Sequence, residues 1–135
     1  MGFLIDSSVF IDWERGRINI EKKVEGRGEE DFFLSVISAS ELLHGVHRAV
    51  DPDIRTKRSA FVEAILSRFS ILSIDLSTAR IHAEIWAELS AQGNRIGPHD
   101  SWLAATCLAH GLAMITGNIR EFGRVPGLSV ETWTN

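Results

Sequence analysis

With 135 residues, 44% of them apolar and 24% charged, the chain has the size and balance of one globular domain with its own core, spanning residues 1–135. No apolar run is long enough to cross a bilayer, and a single cysteine excludes an internal disulfide. A formal net charge of −4 argues against a surface that coats nucleic acid. It leaves room for a nuclease whose carboxylates are neutralised by bound cations.

The chain opens MGFLIDSSVF, with no basic leader and an early aspartate, so it does not read as a secretory signal. Together with the lone cysteine this predicts a reducing, cytoplasmic setting. Residues 2–5 (GFLI) predict a buried strand, and 8–25 two short helical pieces. The segment 25–33 (EGRGEEDFF) is the most loop-like. It leads to a second strand at 32–37, two helical pieces over 39–68, and a third strand at 69–74. Helices follow at 76–92 and 98–110, the latter with Pro98 pre-setting its first turn and Gly111 where a helix C′ glycine belongs. A fourth strand over 112–116 and a weaker fifth over 128–132 complete the pattern. Strands alternating with helices predict an α/β fold with a parallel sheet covered on both faces.

Ligands of such a sheet bind beyond the carboxyl ends of its strands. Asp6 follows the first strand, Glu41 the second, and Asn118 and Glu121 the fourth. Asp100 opens the helix that leads into the fourth strand, at the same edge if that helix runs antiparallel to its strand. Taken singly, each has a plain explanation. Ser38-x-x-Glu41 and Asn118-x-x-Glu121 fit capping boxes, Asp6 fits a helix cap, and Asp100 fits the acidic first turn of a helix.

Taken together they favour a different reading. Asp100 shares a helix face with Leu103, Ala104, Cys107 and Leu108, an apolar stripe that points inward. Several carboxylates at one sheet edge repel one another unless a cation sits among them. An all-oxygen acidic pocket suits Mg²⁺ or Mn²⁺.

Other residues carry less. His44 and His47 lack a third zinc ligand, and His99 suits either a helix start or contact with a substrate phosphate. Cys107 reads as a packed thiol, and Trp13, Trp86, Trp102 and Trp133 as core rather than as stacking platforms for bases. Ser7 and Ser8 have no His–Asp partners for nucleophilic catalysis. The basic clusters Arg15–Arg17–Lys22–Lys23 and Arg55–Lys57–Arg58 read as solvated faces.

FLIDSSVFI, SVISASELLHG and IGPHDSWLAATCLAHGLAMITGNIREFGRVPGLSVETW resemble, in order and spacing, the motifs of the PIN-domain ribonucleases, and most of all the VapC-type toxins of bacterial toxin–antitoxin pairs. The resemblance covers nearly the whole chain. It implies a three-layer α/β/α sandwich around a mostly parallel five-stranded sheet. It also implies an Mg²⁺- or Mn²⁺-dependent endoribonuclease in which Asp6, Glu41 and Asp100 hold the principal ion. Asn118 or Glu121 would complete the site, or hold a second ion. Glu121 stands where the family often has the shorter aspartate. Ser7, His99, Thr116 and Asn118 would face the substrate. An ion-activated water would attack the phosphorus in line, leaving a 5′-phosphate and a 3′-hydroxyl. A structured RNA such as a tRNA, an antitoxin that blocks the site, and a homodimer are the implied substrate and partners, with no role for a membrane.

Two other classes compete. A PIN-like module that only binds RNA or protein would be expected to have lost a core carboxylate, and none is lost here. A phospho-receiver domain needs a lysine after its fifth strand, and LSVETWTN supplies none.

Overall fold

The computed structural model describes residues 2–133, in which strands and helices alternate. The order is β1 (Gly2–Ile5), α1 (Ser7–Glu14), α2 (Ile20–Glu25), β2 (Asp31–Ser35), α3 (Val36–Arg48), α4 (Pro52–Arg68), β3 (Ser70–Leu72), α5 (Leu76–Gln92), α6 (Pro98–His110), β4 (Ala113–Ile115), α7 (Ile119–Phe122) and β5 (Val130–Glu131). The strands form one sheet in the order β3-β2-β1-β4-β5, and each pairing is parallel. The architecture matches the expected α/β/α sandwich, with a sheet parallel throughout. No helix among the described residues is long and apolar enough to cross a membrane.

Period-2 alternation in the strands divides the core between two faces. Phe3, Ile5, Leu34 and Ile115 point to one face, where α1 to α4 bring Phe10, Ile20, Leu42, Val46, Val62 and Ile65. Leu4 and Met114 point to the other, where α5, α6 and α7 bring Ile85, Leu89, Leu103, Cys107 and Phe122. Each such large side chain removed from water contributes about 1.5–3 kcal/mol. Cys107 is fully buried and its thiol is pushed up by burial, as a packed thiol should be.

The second strand ends earlier than the sequence predicts. Val36 and Ile37 are β-branched and apolar, and they read as a continuation of the strand. Ser35 instead takes an extended conformation (φ −80°, ψ 148°), and its hydroxyl accepts from the Ile37 N–H at 3.0 Å. That cap starts α3 at Val36 rather than near residue 39. Two helices end as read: Gly93 (φ 72°) and Gly111 (φ 65°) occupy the left-handed position that closes α5 and α6. The four-residue α7 follows Asn118, where the spacing Asn118-x-x-Glu121 suggests a helix start although no helix is expected between the fourth and fifth strands.

β1 has β2 on one side and β4 on the other. The chain leaves β1 in one direction and returns on the opposite side, so the carboxyl ends of β1 and β4 flank the switch in strand order. That is where an open parallel sheet leaves a crevice.

Candidate active site

The helix starts of this protein fall into two kinds. Asn19, Ser35, Asp51 and Asp75 occupy cap positions and accept backbone N–H bonds with their side chains. Asp6 and Asn118 occupy cap positions too, yet neither side chain makes a cap bond. Ser38-x-x-Glu41 is no capping box, because the cap lies three residues earlier at Ser35. Nor does Asp100 cap α6, whose cap residue is Gly97. The acids read from the sequence as ambiguous therefore spend their side chains elsewhere.

Asp6 is 5% exposed at the end of β1, with its backbone N–H bonded to the Ile115 carbonyl of β4 at 2.9 Å. Its Oδ2 accepts from the Thr116 hydroxyl at 2.8 Å and the Ser8 hydroxyl at 2.8 Å. Each hydroxyl is itself held by the turn after β4: the Gly117 N–H donates to Ser8 Oγ at 3.1 Å, and the Asn118 N–H to Thr116 Oγ1 at 2.9 Å. Both hydroxyls go to one oxygen, which fixes the carboxylate's orientation across the switch in strand order.

Glu41 lies one turn further along α3 than a cap would allow. Its Oε1 accepts from the buried Ser7 hydroxyl at 3.3 Å, and its Oε2 lies 3.5 Å from His99 Nδ1. The His99 side chain is mostly exposed, so it stands at the mouth of the group.

Asp100 and Glu121 meet directly. Burial, a hydrogen bond to Glu121 and the charges of Asp6, Glu121 and Glu41 raise the Asp100 carboxyl to about 7. Glu121 moves the other way. The hydrogen bond from Asp100 holds it below the usual carboxylate range, helped by Asn118 Nδ2 at 2.5 Å, the Gly97 N–H at 3.3 Å and the charge of Arg124. The physical picture is one proton kept by Asp100 and donated to an ionised Glu121. Asn118-x-x-Glu121 therefore interacts side chain to side chain, and α7 goes without a side-chain cap.

So Asp6, Glu41 and Glu121 all act electrostatically on Asp100 at the carboxyl edge of the sheet, with Ser8 and Thr116 bonded to Asp6, Ser7 to Glu41 and Asn118 to Glu121. Among the described residues no three acidic, histidine or cysteine side chains are drawn together closely enough to form a ready-made cage for an ion. Sequence reasoning passed over Ser8, weighing it only as a helix start and a nucleophile. The signal available was its place two residues after a strand-end aspartate, within reach of that carboxylate.

The remaining candidates lie apart from the carboxylates. His44 and His47 are exposed on α3. Trp133 is buried, and Trp13 and Trp102 are partly buried, but Trp86 is 66% exposed and is not core as expected. It stands at the outer edge of α5, while Ile85 and Leu89 carry the packing.

A family model for the PIN domain matches residues 3–128. The ribonuclease VapC1 of Rickettsia felis is 37% identical over 132 residues, covering 98% of this chain and 96% of that protein. The tRNA(fMet)-specific endonuclease VapC of Salmonella typhimurium is 35% identical over 100 residues, 74% of each chain. Among solved structures, the DNA-bound VapBC of Salmonella typhimurium superposes with a TM-score of 0.86 at 28% identity, covering 98% of both chains. The VapBC2 of Rickettsia felis bound to a promoter DNA fragment reaches 0.89 at 23% identity, over 98% of this chain and 99% of that one, a likeness of fold.

Proposed function

This chain belongs to the PIN-domain family, among its VapC-type ribonucleases, and we propose that it is a divalent-metal-dependent endoribonuclease whose site is the Asp6–Glu41–Asp100–Glu121 cluster. The observation that carries this reading is the Asp100 carboxyl, raised to about 7 by burial and by the carboxylates around it. A fold that gathers four acids at the crevice of its sheet destabilises its own metal-free state, and a cation there replaces the retained proton. The donors fit Mg²⁺ or Mn²⁺: all are oxygen, and no thiol competes.

Asp6, Glu41 and Asp100 would hold the ion, with Glu121 as the fourth acid and Asn118 orienting it. When bound, a divalent cation supplies a water of lowered pKa and offsets the charge that develops on the phosphate. The protein's own part is placement. Ser8 and Thr116 fix Asp6 through one oxygen, Ser7 steadies Glu41, and Gly97 and Asn118 hold Glu121 against Asp100. Exposed beside Glu41, His99 is placed to meet a substrate phosphate. No serine or cysteine nucleophile is required.

Relatives are named as a tRNA(fMet)-specific endonuclease and as partners in VapBC complexes. By that likeness the substrate here is a structured RNA such as a tRNA, and the partners are a VapB-type antitoxin and a second copy of the chain, in the cytoplasm. A groove between α1, α3 and α4, with Phe10, Ile11, Leu42 and Phe61 on its apolar wall and Arg15, Arg48 and Arg58 around it, suits the antitoxin, because Glu41 of the acidic cluster is among its lining residues. A basic side chain arriving along it would pair with the acids.

The purified protein is expected to cut RNA with Mg²⁺ or Mn²⁺ and to stop on addition of EDTA. Undiminished cleavage in EDTA overturns the metal-dependent reading.

A further inference from the structure

A second concavity, of about 620 Å³, opens between α5 and α6 and is lined by His82, Trp86, Leu89, Arg95, Pro98 and Trp102, with Ser101 at its wall. None of the four carboxylates lines it. It nevertheless shares a segment with their cleft: Gly97 donates to Glu121, and Asp100 lies between Pro98 and Ser101. The two sites therefore adjoin along the chain, through residues 97–101.

The lining is planar and aromatic. The His82 ring stacks on Trp102 with centroids 3.7 Å apart and planes 4° from parallel. Ser101 Oγ donates to the Pro98 carbonyl at 2.7 Å, so its one hydrogen is used and His82 Nε2, 3.0 Å away, is the donor to Ser101. Burial lowers the His82 pKa, which keeps the imidazole neutral. Trp86 tilts at 53° to His82 with centroids 5.9 Å apart, and its indole is left in solvent. Arg95 is exposed at the rim, and its backbone carbonyl accepts from Arg124 Nη1 at 2.8 Å, which ties the segment bearing Arg95 to the chain just after α7.

We propose that this concavity is a nucleobase subsite: an unpaired base next to the scissile phosphate stacks on Trp86, and its backbone phosphate lies toward Arg95. The assignment rests on the ribonuclease reading and adds to it where the RNA is gripped. Aromatic faces with a rim cation are the usual means of holding single-stranded bases, and they need no sequence-specific bond. The volume falls in the range of small-ligand pockets, about 300–1,000 Å³, whereas a second protein chain would need a broad complementary patch of about 800 Å² on each side.

The test measures binding of a single-stranded RNA hexamer carrying 2-aminopurine, in EDTA so that nothing is cut. The wild-type protein is compared with Trp86→Ala, Trp86→Phe and Arg95→Ala, and particle mass is read by light scattering. Trp86 is exposed, so its removal leaves the core intact. Trp86→Ala is expected to weaken binding at least about tenfold and Trp86→Phe much less, with Arg95→Ala flattening the salt dependence, all at unchanged mass. Unchanged affinity in Trp86→Ala overturns the subsite, as does weakening that appears only with conversion to a smaller particle, which would make this the face of a second copy. Cleavage of cellular RNA with Mg²⁺ is scored separately. If the wild type cuts nothing, the ribonuclease reading falls, and the binding comparison still decides the pocket.

Discussion

The Thr116 hydroxyl donates to Asp6 Oδ2 at 2.8 Å, in a fully buried bond that joins the carboxyl ends of β4 and β1. Their backbones are tied at the same point by Asp6 N to Ile115 O. Thr116 is thus a positioning residue for Asp6. Thr116→Val keeps the shape and removes the donor, leaving a buried carboxylate one bond short, a cost of about 1–3 kcal/mol. Cleavage is expected to fall about 10–100-fold, the usual effect of losing a partner that orients a metal ligand. Thr116→Ser restores the donor and should recover most of the rate. Equal rates in the Val and Ser variants would show that the hydroxyl does nothing for Asp6.

Asp100 gives a stability prediction with a definite sign. Its folded-state carboxyl titrates near 7, above the unfolded value of 3.8. Below both values it is neutral in either state and contributes nothing. As pH rises from about 4 to about 7 the unfolded chain ionises first, so stability is lost across that window and stays lost above it. Asp100→Asn removes this penalty and keeps a donor toward Glu121. In EDTA at pH 8 the variant should melt several degrees above wild type, with about 2–8 °C for each kcal/mol recovered. The gap should close towards pH 4, and cleavage should be abolished throughout. A variant that melts lower at pH 8 would return Asp100 to the role of a helix-start residue.

How much of this could be read from the chain depends on which forces act locally. The apolar stripe Leu103, Ala104 and Cys107 marks the inward face of α6, and all three are fully buried. That pattern made Asp100 legible. The start of α3 was not: Val36 and Ile37 carry strand propensity, and one Ser35 side-chain bond overrides it. The motif S-x-x-E at Ser38 imitates a capping box, because sequence spacing cannot tell which serine caps. Trp86 was misread for another reason. Hydrophobicity predicts burial on average, and Trp86 joins neither cluster of buried side chains: it lies beside Leu89 at the wall of an open concavity and stays 66% exposed.

The groove between α1, α3 and α4 bears on the partner. Arg58 braces it, donating to Glu14 at 2.9 Å and to the Gly45 carbonyl at 3.1 Å. Ile11 lines it and is 37% exposed, so Ile11→Asp alters the groove without cutting into the core. Expression of the wild type alone should arrest bacterial growth, and co-expression of the neighbouring antitoxin gene should restore it. With Ile11→Asp, arrest should persist despite the antitoxin, whose affinity for the variant should drop about tenfold or more. Full rescue of the Ile11→Asp strain would place the antitoxin elsewhere.

The fourth site position separates Glu121 from Asn118. Glu121 carries the charge and already meets Asp100, while Asn118 gives its side-chain amide to Glu121 and its backbone N–H to Thr116. A charged oxygen binds a hard cation better than an amide. Glu121→Gln removes one negative charge from the cluster and leaves Asp100 with a weaker acceptor. Mn²⁺ affinity and cleavage rate should fall together, while metal-free stability at pH 8 holds or rises. Asn118→Ala leaves all four acids in place. Because the Asn118 side chain caps nothing in α7, the usual loss of about 0.5–2 kcal/mol for a cap residue should not appear. Its effect should be confined to the orientation of Glu121, a smaller fall in rate than Glu121→Gln produces. Isothermal titration with Mn²⁺ and single-turnover cleavage on both variants decide between them. Unchanged affinity and rate in Glu121→Gln, with both reduced in Asn118→Ala, would give the fourth position to the amide.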